Sequence, residues 1–301
     1  MTKVDPTRPM WLFATVWSLR KYPSPGREWS WKRKFAAIRD SGFDGVFAAP
    51  APEIAERGDL RYFAGTSIDA REKTAPLLEF AKKLGAVAID VQLGDYDTPV
   101  VEAVKLAMHV RDVARSLDLP FAIETHRDTF TETPESTLAL TRGYYAATGE
   151  ILPLCLDHSH FAVIRHFAPG TFWARLREPA ELLEAATQFH LRPFNGHHCQ
   201  IPVLDARGRR TPEYRDWLDY SAALLEFVRR QKTTAPALVV PELGNAAPAY
   251  RLSCFGATLG ATPRRWRETC GRSGGRRHRA RRKTMSSIGL LYSGDVRMLQ
   301  G

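Results

Sequence analysis

Three observations predict a single (β/α)8 barrel. Eight short runs rich in β-branched and aromatic residues alternate with longer stretches of helical periodicity, the pattern of repeated βα units around a parallel sheet. The 301 residues suffice for one such domain, for which about 250 is typical. No Gly-rich phosphate turn follows the first run, which sets aside an open dinucleotide-binding sheet.

The strands are expected at Trp11–Ser18, Phe43–Ala48, Tyr62–Ile68, Val87–Leu93, Phe121–Thr125, Leu152–Asp157, Gln188–Arg192 and Ala237–Glu242. Helical patterns fall between them. Arg71–Leu84 repeats Leu77, Leu78, Phe80, Ala81 and Leu84 along one side and stops at Gly85, a natural C-cap. Thr98–Leu117 is the longest, with Asp97 or Thr98 placed to cap it and Pro99 in its first turn. Thr133–Ala147 opens on Thr-Pro-Glu-Ser, and Glu178–Thr187 is short. Tyr214–Gln231 gathers Trp217, Leu218, Ala222, Leu225 and Val228 on one side. The barrel is expected to occupy residues 1–262.

The formal charge of +10 is not spread evenly. Residues 263–301 hold 11 of the 43 basic and 2 of the 33 acidic residues, so the remainder, with 32 basic and 31 acidic, is nearly neutral. A basic nucleic-acid-binding face across the barrel is therefore not expected. Nucleic acid should meet the chain only through non-specific contact with the 263–301 tail. No apolar stretch approaches the roughly 18–20 residues needed to span a bilayer. The start lacks a signal-peptide pattern, so a cytoplasmic protein is expected. Cys155, Cys199, Cys254 and Cys270 show no Cys-x-x-Cys spacing and read as inert thiols.

In such a barrel the C-terminal ends of the strands build the active site. Strand five ends in Glu124 and His126, and strand six in Asp157 with His160 three residues on. Strand seven carries His190 and Arg192 on a shared face, and strand eight ends in Glu242. Three carboxylates and an imidazole converging on one rim repel one another without a cation. Oxygen-rich ligation with one nitrogen suits a divalent ion, Mn2+ or Mg2+ before Zn2+ or Co2+. His198, within His198-x-Gln200, is a rival to His190. We prefer His190 because it lies in a β-like run, whereas Asn195-Gly196 reads as a turn that would leave His197 and His198 in a loop over the site. His109 and His166 read as unrelated to the chemistry.

These residues carry a resemblance. Glu124–Arg127 (ETHR), Asp157–His160 (DHSH), Phe189–Gly196 (FHLRPFNG) and Pro241–Gly244 (PELG) follow one another as in the xylose-isomerase-like barrel superfamily of sugar isomerases and epimerases. The chain resembles it over roughly residues 10–255, and most closely a poorly characterised bacterial branch whose members carry ETHR and His-x-Arg. The resemblance implies that Glu124, Asp157, His190 and Glu242 ligate one metal and that His160 and Arg192 face the substrate. The implied reaction is isomerisation or epimerisation of a small sugar-like hydroxy-carbonyl compound. Glu124 and Glu242 would move the α-proton through an enediolate. His126, Arg127, His160 and Arg192 would anchor hydroxyls or a carboxylate, with Trp17 and Phe47 as an apolar wall.

The alternatives are a metal-dependent lyase or dehydratase, a DNA-repair endonuclease of the same superfamily, and a non-catalytic binding barrel. A nuclease needs more metal ligands, and FDGVFAAP and YFAGTSID at strands two and three hold no histidine. The chain departs from its relatives after Ala249–Phe255, where they continue into a closing helix. The Arg-rich Pro263–Thr284 reads as a shifted reading frame or a divergent terminus. It has no amphipathic period to cover strands eight and one, so a disordered basic tail and a barrel that is either marginal in stability or self-associating, a homo-oligomer in the second case, are expected.

Overall fold

A computed structural model describes residues 8–244 apart from Ala206. Ala249–Phe255 and the 263–301 tail, with the expectations placed on them, lie outside the described residues. Eight parallel strands close in sequence order: β1 (Met10–Thr15), β2 (Gly45–Ala48), β3 (Arg61–Ile68), β4 (Ala86–Leu93), β5 (Phe121–Glu124), β6 (Leu154–Asp157), β7 (Ala186–Leu191) and β8 (Ala237–Pro241). Closure is made by β1 and β8, which pair Met10 with Ala237 and Leu12 with Val239.

The expected helices are present with altered ends. The outer layer consists of α1 (Trp31–Asp40), α2 (Arg71–Lys83), α3 (Val100–Ser116), α4 (Pro134–Thr148), α5 (His158–Ile164), α6 (Phe172–Leu176), α7 (Ala180–Glu184) and α8 (Pro212–Arg230). Helix α2 ends as expected, with Gly85 taking the left-handed conformation that closes the last turn. In α4, Thr133 and Ser136 form a reciprocal capping box behind Pro134. Thr211 caps α8 by accepting from the Tyr214 N–H.

Three expectations need correction. Neither Asp97 nor Thr98 caps α3; Pro99 holds that position, and the Thr98 hydroxyl instead accepts from the Asp95 N–H. The first strand stops at Thr15, because Val16–Leu19 turns in a short 3-10 helix. The single helix over Glu178–Thr187 is only α7, since Ala186 already pairs with Leu154 in the sheet. Between β2 and β3 the chain passes through a 3-10 segment, Pro52–Arg57. No helix among the described residues is long and apolar enough to cross a membrane.

The principal core lies between sheet and helices, where Trp217, Tyr214, Tyr144 and Phe172 are fully enclosed. A second cluster, Phe13, Phe63, Ala88, Leu238 and Val240, is built from strand residues. Phe13 and Phe63 meet edge to face at 5.4 Å.

A buried acidic and basic cluster at the barrel rim

The two-residue alternation of a strand sends Glu124, Asp157 and His190 from three neighbouring strands to one end of the barrel. Glu242 follows directly on β8. All four are buried. Glu124 Oε1 lies 2.9 Å from His190 Nδ1, and Glu242 Oε2 lies 3.7 Å from the same nitrogen. One ligand atom each from Glu124, Asp157 and His190 falls within 4.8 Å of the others. Three of the four expected ligands therefore converge, and Glu242 joins them through His190.

Arg192 completes the cluster. Its Nη2 donates to Glu242 Oε2 at 2.7 Å and lies 3.2 Å from Asp157 Oδ2. The guanidinium thus braces two carboxylates, while its Nε and Nη1 have no hydrogen-bond partner. Asp157 also caps α5 by accepting from the Ser159 N–H. Thr131 donates to the backbone carbonyl of Glu124, and Gln92 donates to its side chain at 2.8 Å.

Burial would push every one of these groups toward its neutral form, and the pairings decide otherwise. Burial raises the Glu124 carboxyl, but His190, with His126 behind it, outweighs that and holds it below the usual range. Asp157 is likewise held well below, with Arg192 and His160 overcoming burial. The His190 imidazole, despite burial, is pushed up to about 10, chiefly by Glu124. Asp90 on β4 behaves oppositely: burial first and the Glu124 charge second drive its carboxyl well above the carboxylate range. With Asp90 protonated, three carboxylates face the two cations His190 and Arg192.

A cavity of about 440 Å³ opens on this cluster and is lined by Glu124, His126, His190, Arg192 and Glu242. Trp17, in the 3-10 turn after β1, and Phe47, on β2, lie on its wall. Phe47 meets the His190 ring edge to face at 4.8 Å, and the Arg192 guanidinium stands 5.9 Å from the Trp17 ring centre. Two glycines make room for them. A Cβ at Gly65 would strike the Phe47 ring, and one at Gly244 would strike Trp17. Across from the carboxylates, β2, β3 and the turn after β2 contribute Ala48, Ala49, Gly65, Thr66 and Ser67, all small and uncharged.

Two residues expected to face the substrate do not line the cavity. Arg127 points to the loop after β7, where it donates to Cys199 Sγ at 3.3 Å. His160 is buried behind Asp157, 3.4 Å from its Oδ2, with its ring 4.4 Å from that of His126. His198 is exposed, and its N–H is held by Asn195 Oδ1 together with that of His197. The turn at Asn195 is thus present, and His190, not His198, stands among the carboxylates. His109 contacts Arg71 on the outside of the barrel and His166 contacts His197, both away from the cluster. Gln200, by contrast, is buried and makes a paired hydrogen bond with the backbone of Gly244. It ties the loop after β7 to the end of β8.

The cluster fits a divalent ion. Asp157 Oδ2 and both His190 ring nitrogens are buried without a well-formed hydrogen bond, so a carboxylate lone pair is open where the carboxylates meet and His190 adds one on giving up its proton. Oxygen and nitrogen donors in this ratio suit a hard or borderline cation.

No family model matches the chain, and neither does any curated protein. Solved structures do. D-allulose 3-epimerase from Methylomonas sp. is 14% identical with a TM-score of 0.52, the match covering 98% of each chain. An L-ribulose 3-epimerase is 13% identical with a TM-score of 0.51 over 96% of this chain and 93% of that one. The probable 3-DHS dehydratase AsbF of Bacillus anthracis is 16% identical with a TM-score of 0.50 over 77% and 91%. At such identities the likeness establishes the barrel fold.

Proposed function

We propose that the protein is a divalent-metal-dependent isomerase or epimerase of a small sugar-like hydroxy-carbonyl compound, a member of the xylose-isomerase-like superfamily. The observation that carries this reading is the convergence of the buried Glu124, Asp157 and His190 within 4.8 Å, with Glu124 and His190 lining a small cavity. Glu124, Asp157, His190 and Glu242 would hold the ion, Mn2+ or Mg2+ by donor type with Zn2+ or Co2+ as further options. A bound divalent ion supplies Lewis acidity, which makes the C–H beside a carbonyl easier to ionise.

Glu124 and Glu242 reach the site from β5 and β8, with β6 and β7 between them, so that two carboxylates flank the reacting carbon. One takes the α-proton and the other returns it. Return to the opposite face of the same carbon epimerises, and return to the neighbouring carbon isomerises. His126 and Arg192, both on the cavity wall, would bind hydroxyl or carboxylate oxygens, and Trp17 and Phe47 would cover the apolar face of the substrate. Arg127 and His160 would act from behind this layer, His160 by orienting Asp157.

A volume near 440 Å³ suits a small molecule and not a duplex. The neutral wall from β2 and β3 adds no ligand for further ions, which disfavours the nuclease reading. The solved folds include both 3-epimerases and a dehydratase, so loss of water after the same proton abstraction is the second reading. We further propose that residues 1–262 suffice for the ion and the reaction.

Incubation of the metal-loaded protein in D2O with a panel of ketoses, aldoses and hydroxy-keto acids tests the proposal. A converted substrate should gain deuterium at the α-carbon. Turnover without wash-in would replace proton transfer by a hydride shift, and cleavage of abasic DNA at a comparable rate would overturn the sugar reading.

A further inference from the structure

Below the rim lies a second ring of polar side chains. Two residues before Gln92, Asp157 and His190 on their strands stand Asp90, Cys155 and Gln188, facing the same interior one layer deeper. Barrel interiors at this depth are normally filled by branched apolar side chains. Asp90 and Cys155 are both buried. Asp90 Oδ2 lies 4.0 Å from His190 Nε2, the ring nitrogen turned away from Glu124. One ligand atom each from Asp90, Cys155 and His190 falls within 4.8 Å of the others. Asp90 Oδ1 and His190 Nε2 have no hydrogen-bond partner.

We propose that Asp90, Cys155 and His190 form a second, inner metal site that takes a thiophilic divalent cation such as Zn2+ or Cd2+. One sulfur, one nitrogen and one oxygen donor is a zinc-type set, unlike the oxygen-rich set above it. Ligation requires the Cys155 thiol, the Asp90 carboxyl and the His190 imidazolium each to release a proton, so three protons leave to solvent as one divalent cation enters. Asp90 and His190 both border the cavity, which gives the ion its way in. A neutral imidazole offers one lone pair. His190 therefore serves the inner ion through Nε2 or the rim ion through Nδ1, and the two ions exclude one another. The inner site stands on its own three ligands; only this exclusion rests on the rim reading given above.

The test is titration of the chelator-stripped full chain with Cd2+ alone, followed by the ultraviolet sulfur-to-cadmium charge-transfer band. The band should appear at about one ion per chain and survive simultaneous Cys199→Ala, Cys254→Ala and Cys270→Ala, which leaves Cys155 as the sole thiol. It should vanish in Cys155→Ala, with Cys155→Ser as a second variant should the first fail to fold. Asp90→Asn should weaken Cd2+ binding about tenfold or more. Mn2+ binding, followed by its paramagnetic resonance signal, should persist in Cys155→Ala and be displaced by Cd2+ in the unaltered chain. A band that persists without Cys155, or none where Cys155 is the sole thiol, overturns the inner site. Failure of Mn2+ to bind any form tells against the rim reading alone.

Discussion

Loading the rim with a divalent ion should expel a proton from His190, and the pH dependence of affinity should reveal it. In the ion-free protein the imidazole is buried, which disfavours its charge, yet Glu124 at 2.9 Å and Glu242 at 3.7 Å push its pKa up to about 10. A ligating imidazole must be neutral. Removing the proton at pH 7 spans about three pKa units, or about 4 kcal/mol at 1.36 kcal/mol per unit. Affinity should therefore climb about tenfold per pH unit from about pH 7 to about pH 9 and level off as the pH approaches the His190 pKa. Charge balance explains why the exchange is still favourable. Two cations against three carboxylates leave one uncompensated negative charge, and a divalent ion replacing one proton removes it. Calorimetry of Mn2+ binding in buffers of differing ionisation enthalpy should return close to one proton released per ion. Glu124→Gln deletes the main support of the imidazolium, so proton release at about pH 8 should shrink in that variant even though the ion binds more weakly. An affinity flat across this range, with no proton released, would refute the placement of His190 as both cation and ligand.

Further expectations follow from the same geometry. Glu242→Gln and Asp157→Asn should each strongly lower bound metal measured by elemental analysis, and His190→Ala should do so where His198→Ala does not; unchanged content in all of them would dismiss the ligand set. Gly244→Ala should cost about 1–3 kcal/mol in denaturant unfolding because its methyl meets the Trp17 ring, and a neutral result would mean the ring shifts freely. A chain ending at residue 262 should keep its divalent ion and lose any salt-sensitive DNA binding; loss of the ion would move the domain boundary into the tail.

Much of the barrel was legible because strand burial leaves a plain signature. Val-Phe-Ala in β2 and Leu-Val-Val in β8 read as strands by composition alone. Elements set by tertiary contact were not legible. Helices α5 and α6 are seven and five residues long, too short for a periodic signal. The end of the helix expected over Glu178–Thr187 is decided by the pairing of Ala186 with Leu154, a partner distant in sequence. Of the rim, the strand-end acids and His190 stood out because charge at a strand end is conspicuous. Asp90 did not, being one acid inside the apolar run AVAIDVQL. Only the alternation shared by β4, β6 and β7 marks it as interior. Arg192 was read as pointing outward to a ligand, and nothing in His-Leu-Arg indicates that its guanidinium reaches both Asp157 and Glu242.

The cavity is divided by strand. Its charged groups come largely from β5 to β8 and the residues directly after them, and the facing wall from β2 and β3 is neutral and, Phe47 apart, small. Changes to Ala48, Ala49 or Ser67 can therefore reshape the space offered to a molecule without disturbing the electrostatic balance that holds the rim together. A barrel so partitioned can exchange one substrate for another by drift along a single wall while the reactive half stays constant.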